Sequence, residues 1–181
     1  SNPVERIRKL ANVILEKYIK ERNINIEIAV VDKEIDIVKL CMAKAHEWMP
    51  DFLAVWNIEF DMEKIIAACE RARVNIADIL NDPKVPVKYR HFKFKKGPAK
   101  KTTASGQVMS IPPAARWHAV ISPASFTWID VMCTYKHTRI GEPEEPSYSL
   151  DAILQLKAKI TKLKFEQAKD LSGLSWHQFM Q

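Results

Sequence analysis

An apolar run, Phe52 to Trp56, is followed after a short polar stretch by Met62, Ile65, Ile66 and Cys69, which recur at the i, i+3, i+4, i+7 spacing of an amphipathic helix. A run that short is strand-like, so the chain is expected to pass from a buried strand directly into a helix. Upstream, Ile24, Ile26, Ile28 and Val30 alternate with Asn25, Glu27 and Ala29, the period of another strand, and Asp32 begins the turn into a helix over Glu34 to Trp48. Before these, Pro3 to Glu21 carries Val4, Ile7, Leu10, Ala11, Ile14, Leu15 and Tyr18 at helical spacing, with proline at the start where its missing N–H costs nothing. The order helix, strand, helix, strand, helix predicts an α/β layer with neighbouring strands parallel.

The strand-to-helix junction reads Trp56-Asn57-Ile58-Glu59-Phe60-Asp61. On these residues alone two roles are open for Asp61. Asp is a good N-cap for the helix that follows, and a carboxylate at the mouth of a buried strand also invites a metal ion.

With 181 residues, 47% of them hydrophobic, the chain is long enough for one compact domain over 1–181, and it holds no apolar stretch near the ~18 residues of a membrane span. A soluble, cytoplasmic protein is expected. Cys41, Cys69 and Cys133 form no C-x-x-C pair and read as reduced, buried thiols. Cys133 and His137 sit four apart, but no second pair completes a zinc site, and the remaining histidines are too scattered for a Ser/His/Asp arrangement.

The net charge of +6 leans toward a polyanionic partner. Between Asn81 and Ser125 six prolines break every run, and 82–125 is read as a hairpin insertion. Within it, Tyr89, Arg90, Phe92, Lys93, Lys95 and Lys96 interleave rings and cations before a Gly97-Pro98 turn, with Thr102 to Val108 as the returning strand. Rings stack bases for about 1–3 kcal/mol each while lysines neutralise phosphates, so these residues are candidates for contact with a nucleic acid. The same alternation also suits an ordinary strand pair with Tyr89, Phe92 and Phe94 on its core face and solvated lysines outside. Both readings stand.

Pro50-Asp51-Phe52-Leu53-Ala54-Val55-Trp56-Asn57-Ile58-Glu59-Phe60-Asp61 resembles the second exonuclease motif of family B DNA polymerases. Phe126 to Met132 resembles a later strand of that family ending in an acid, Asp130, and Pro146-Ser147-Tyr148-Ser149-Leu150-Asp151-Ala152-Ile153 resembles its Tyr-x-Leu-(Asp/Glu)-Ala-(Ile/Val) segment. The three matches keep the family's order, cover roughly 34–181, and are spaced most like bacteriophage enzymes. The resemblance implies a partial ribonuclease-H-like exonuclease fold with an inserted β-hairpin. It makes Asp61 a catalytic, metal-holding carboxylate for Mg²⁺ or Mn²⁺, with Asn57 and Phe60 beside it in the DNA-binding site, Asn57 positioning the strand end or the loop and Phe60 packing beneath the carboxylate. It also implies a parent DNA-directed DNA polymerase, a nucleotidyltransferase acting in DNA replication in a bacterial host's cytoplasm. Its partners are then the primer 3′ end and the rest of the polymerase chain.

The sequence departs from the family in its exonuclease motifs, and it also lacks the family's polymerase signatures Ser-Leu-Tyr-Pro and Asp-Thr-Asp. The first-strand Asp-x-Glu and the third-motif Tyr-x-x-x-Asp have no counterpart here: Asp32-x-Glu34 has the letters but lies too close to Asn57, and reads as acids at a helix start. The resemblance leaves Asp130 outside the metal pair, as a helix cap. One carboxylate cannot hold two Mg²⁺ ions, which need several oxygen ligands between them. The start at Ser1-Asn2-Pro3 and the apolar end, Trp176 to Gln181 after a Ser175 cap, further suggest an internal piece. The isolated chain is therefore expected to be nearly inactive, and cut surfaces to favour dimers. The alternative is a non-catalytic single-strand-DNA-binding or interaction module that keeps the fold.

Overall fold

The computed structural model describes residues 27–160 continuously and, before them, positions 5, 9, 13, 16, 19–21 and 23. The Ser175 cap and the final helix lie outside the described residues, as do most positions of the opening helix, although those described between 5 and 21 are helical.

The architecture is mixed helix and sheet. Helix α1 (Glu34–Trp48) places Glu34 and Asp36 in its first turn, where acids favour the helix dipole, and ends at Met49 in the left-handed region. Strand β1 (Phe52–Val55) passes through Trp56 and Asn57 into α2 (Ile58–Ala72), and a short α3 (Ile76–Leu80) follows with Asn75 as its cap. Three short strands, β2 (Lys93–Lys95), β3 (Lys100–Thr102) and β4 (Val108–Ser110), precede β5 (Ala119–Ile121) and β6 (Thr127–Asp130). Helix α4 (Val131–His137) starts immediately after β6, and α5 (Leu150–Ile153) is capped by the Ser149 hydroxyl.

The strands form three separate pairs: β1 with β6, β2 with β5, and β3 with β4. β1 and β6 run parallel, in the register Phe52↔Thr127 to Val55↔Asp130. Parallel pairing is the arrangement the helix–strand alternation predicts, but the upstream partner differs. Residues 27–31 form no strand, although Ile28, Val30 and Val31 are partly buried. An alternating pattern becomes a strand only when another backbone completes its hydrogen bonds, and here none does. β1 is also less enclosed than expected, with Phe52 60% exposed, since among the described residues β6 is its one neighbour strand.

The hairpin differs too. The antiparallel pair is β3–β4, with Lys101 opposite Met109, and its turn is Thr103 to Gln107, where Gly106 takes φ 82°. Gly97-Pro98 is not that turn. Gly97 instead lies so close to the backbone of Arg116 and Trp117 that no side chain fits.

The described residues divide into two compact units. The first holds residues up to Asp51 with Met62–Lys93 and Ile121–Phe126, and the second holds Phe52–Asp61, Phe94–Val120 and residues from Thr127 onward. In the first, Ile35, Met42, Ala45, Met62, Cys69, Leu80 and Phe126 are buried, and α1 packs on α3. Asn81 is 1% exposed and clamps the loop that follows, its amide donating to the His91 carbonyl at 2.9 Å and accepting from the His91 N–H at 3.1 Å. In the second, Ile58, Ala114, Met132, Cys133 and Ile153 are buried around the β1–β6 pair. Cys69 and Cys133 are buried as expected, whereas Cys41 is exposed, because α1 carries a second apolar stripe turned away from its core face.

Candidate functional site

In the second unit, the two parallel strands each run straight into a helix at their carboxyl ends. After β1, Asn57 Oδ1 accepts from the Phe60 N–H at 3.3 Å, and after β6, Asp130 Oδ1 accepts from the Cys133 N–H at 3.1 Å. The Met132 N–H donates to the Trp56 carbonyl at 3.1 Å, so the two turns are stitched together. In open α/β sheets, the crevice outside the carboxyl ends of strands is where ligands collect.

A cleft of about 640 Å³ opens there, lined by Trp56, Asn57, Phe60, Asp61, Met132 and the 146–150 segment, with the Pro112–Ala114 turn as a further wall. Trp56 holds that segment in place: its Nε1 donates to the Tyr148 carbonyl at 3.0 Å, and its ring lies 5.9 Å from that of Tyr135, which meets the Tyr148 ring edge-on at 6.4 Å. The Tyr135 hydroxyl donates to Glu145 at 3.0 Å, and Lys157 pairs with the same carboxylate at 2.9 Å.

Asp61 lies in the first turn of α2, one turn beyond Asn57, and its N–H donates to the Asn57 carbonyl at 3.1 Å. The helix cap is therefore Asn57 and not Asp61. Asp61 is exposed on that turn, and the water that its neighbours do displace raises its carboxyl above its usual range, the direction expected of an acid that loses some water without gaining a cation. Among the described residues it is the only acid lining the cleft, and no group of three His, Cys, Asp or Glu residues converges to hold a metal. A two-ion magnesium site needs more oxygen ligands than this, so the residues present do not fit one.

Asn57, Phe60 and Asp61 thus share one cleft, with the Phe60 ring 56% exposed beside it. Lys95 and Lys96 belong to the same unit, and Tyr89, Arg90, Phe92 and Lys93 to the other. Tyr89 is 60% exposed in a short 3-10 turn, with the Lys88 ammonium 4.8 Å from its ring. Arg90 is committed to its own loop: Nε donates to the Val85 carbonyl and Nη2 to the Pro83 carbonyl, each at 2.9 Å, and Nη1 lies 3.6 Å from Asp78. Along β2 the alternation holds, with Lys93 and Lys95 exposed and Phe92 and Phe94 partly buried. Phe94 stacks on His118 at 6.0 Å.

The sequence reading passed over the cluster around His118. This histidine is buried, with Nδ1 accepting from the Gly97 N–H at 3.3 Å and Nε2 3.5 Å from Glu59, which also pairs with Lys96 at 3.3 Å. Glu59 precedes Phe60 in the cleft motif, but no local spacing links it to His118, so the pairing has no signature in the sequence. Asp32 is exposed in the bend before α1, and Glu34 pairs with Arg71. Cys133 is shielded in α4, where burial pushes its thiol up to about 12, and His137 meets Trp117 edge-on at 5.7 Å. Such a thiol is inert as a nucleophile at neutral pH.

No protein-family model matches the chain, and no curated protein matches it either. Among the described residues, no helix is long and apolar enough to cross a membrane.

Proposed function

We propose that this chain is part of the 3′-to-5′ proofreading exonuclease domain of a bacteriophage-like family B DNA polymerase, with a partial ribonuclease-H-like fold. One observation carries the reading. The three segments that resemble the family, around Asn57 to Asp61, Met132 and Pro146 to Leu150, are far apart in sequence and line the same cleft at the carboxyl ends of two parallel strands. In this reading the exposed Phe60 ring stacks the terminal base, Asn57 fixes the first turn of α2, and Asp61 supplies one carboxylate next to the scissile phosphate. Hydrolysis by a metal pair in the parent enzyme requires further acids, and among the described residues none besides Asp61 lines this cleft, so in this reading the chain alone binds a strand end without cutting it efficiently.

A second reading, a non-catalytic single-strand-DNA-binding module, is favoured by the β3–β4 ribbon. Lys100, Lys101, Val108 and Met109 are all exposed on it, a mixture of cations and apolar surface suited to a nucleic-acid strand.

The test is incubation of the chain and its Asp61→Ala variant with a 5′-labelled single-stranded oligonucleotide and Mg²⁺ or Mn²⁺. The exonuclease reading expects slow shortening at most, abolished in the variant. Strand binding with no trace of shortening, unchanged in the variant, favours the binding module.

A further inference from the structure

We propose that a second pocket of the second unit, between α4, the Pro113–Ala115 turn and the loop after α4, binds a mononucleotide, with its base against Trp117 and its phosphate on Lys136 and Arg139. The site takes no part in the function proposed above and is independent of it.

The pocket encloses about 340 Å³, inside the ~300–1,000 Å³ usual for small-molecule sites. Ala114, Ala115 and Cys133 give it an apolar lining. Trp117 lies on its wall, 50% exposed, and His137 meets that indole at 5.7 Å with the two rings 78° apart. A neighbour set edge-on does not stack, so the indole keeps ring surface to offer a planar group.

Lys136 and Arg139 line the same pocket, and each is met by an acid of the loop: Lys136 Nζ lies 2.8 Å from Glu144, and Arg139 Nη1 lies 3.0 Å from Glu142. The two members of each pair are not equally fixed. The Lys136 side chain is 22% exposed with its ammonium 5.1 Å from the centre of the Tyr148 ring, and the Arg139 guanidinium lies 4.5 Å from the centre of the Tyr135 ring. These rings hold both cations in place without help from the acids, and the carboxyl end of α4 favours positive charge beside it. Glu142 and Glu144 are 55% and 78% exposed on the loop. Pairs with so exposed a partner contribute little, and an arriving anion can replace the carboxylate. Glu145 differs, because it accepts from the Tyr135 hydroxyl, pairs with Lys157 and remains as wall. The fixed charges of the pocket are therefore cationic and the exchangeable ones anionic, with Glu142 and Glu144 standing where phosphate oxygens would bind. A base carrying a phosphate uses both the ring surface and the cations, whereas free phosphate or an apolar ligand uses one of them.

The experiment is equilibrium dialysis of the full chain against radiolabelled deoxyadenosine 5′-monophosphate, with inorganic phosphate and deoxyadenosine as competitors. Saturable binding is expected, with each competitor weaker than the nucleotide. E142Q/E144Q removes the competing charge and is expected to tighten binding roughly fivefold. K136Q/R139Q and W117A are each expected to weaken it on the order of tenfold. A loop that is only a structural latch predicts a lower urea midpoint in E142Q/E144Q with no gain in affinity, and that result overturns the proposal. Because the expected change in E142Q/E144Q is a gain, misfolding cannot imitate it. Absence of saturable binding in the unaltered chain and in E142Q/E144Q also overturns it, as does inorganic phosphate competing as well as the nucleotide. Binding that disappears in Asp61→Ala would place the nucleotide in the other cleft and overturn it equally.

Discussion

Asp61 is the residue on which the functional reading turns, and its environment makes a stability prediction of its own. Asp61 is exposed, but the water its neighbours displace raises its carboxyl, so the folded chain holds that proton to slightly higher pH than the unfolded chain does. Between those two values stability falls as pH rises, because the folded state binds more protons. Asp61→Asn removes the charge, and is expected to raise the urea midpoint at pH 7 only slightly, since solvent screens an exposed carboxylate, and to change nothing once the medium is acid enough to neutralise both states. A midpoint that drops at pH 7 would mean the carboxylate has a stabilising partner. Gly97 is constrained differently. A Cβ there would lie 2.8 Å from the Arg116 carbonyl carbon and closer still to the Trp117 carbonyl oxygen, both backbone atoms that cannot rotate away. Gly97→Ala is expected to cost about 1–3 kcal/mol by urea unfolding, the usual range for overpacking. It should also disturb the His118–Glu59–Lys96 cluster, since the Gly97 N–H is the donor to His118.

At the scale of elements, helices were more legible than strands. Glu34–Trp48 and Val131–His137 follow their apolar periodicity and their start signals, and Asp130 caps α4 as its place after a strand implies. Helix ends were harder to read, because the chain has only four glycines. α1 stops at Met49, φ 46°, and α2 stops before Arg73, φ 54°, so ordinary residues occupy the left-handed positions where glycine is usual. The Val74 N–H closes α2 by reaching back to the Cys69 carbonyl at 3.0 Å. A left-handed residue other than glycine carries a penalty of about 1–2 kcal/mol, partly offset by the entropy glycine loses on folding. Arg73→Gly is therefore expected to stabilise the protein by roughly 0.5–1 kcal/mol in urea unfolding, and a loss would show that the Arg73 side chain contributes a contact of its own. Strands depend on partners that sequence does not name. Ile28 and Val30 alternate correctly and find no ladder, while Lys100–Thr102, with no apolar residue, forms one with Val108–Ser110.

Over the whole molecule, the charge of +6 is the net of 28 basic and 22 acidic residues, and its distribution separates structural cations from available ones. Arg90, Lys96, Lys136 and Lys157 are engaged with acids or carbonyls, as is visible only in three dimensions. Lys93, Lys95, Lys100 and Lys101 are exposed on short strands and make no ion pair among the described residues. The aromatic and basic segment is legible as an alternation of rings and cations, yet the sequence could not tell that Arg90 turns back into its own loop or that the exposed β3–β4 ribbon begins at Lys100. If that ribbon follows a nucleic-acid backbone, its lysines displace counterions, and the logarithm of affinity falls with the logarithm of salt by about 0.7 per phosphate contacted on a single strand. Fluorescence anisotropy with a labelled single-stranded oligonucleotide across a sodium chloride series is expected to give such a slope. A K100Q/K101Q pair should make it shallower by about 1.4, two contacts at the same increment, with folding unchanged since both side chains are exposed. An R90Q change should leave the slope alone and lower stability instead, because it removes the donors to Val85 and Pro83. If the lysine pair leaves the slope unchanged, strand binding by the ribbon is refuted.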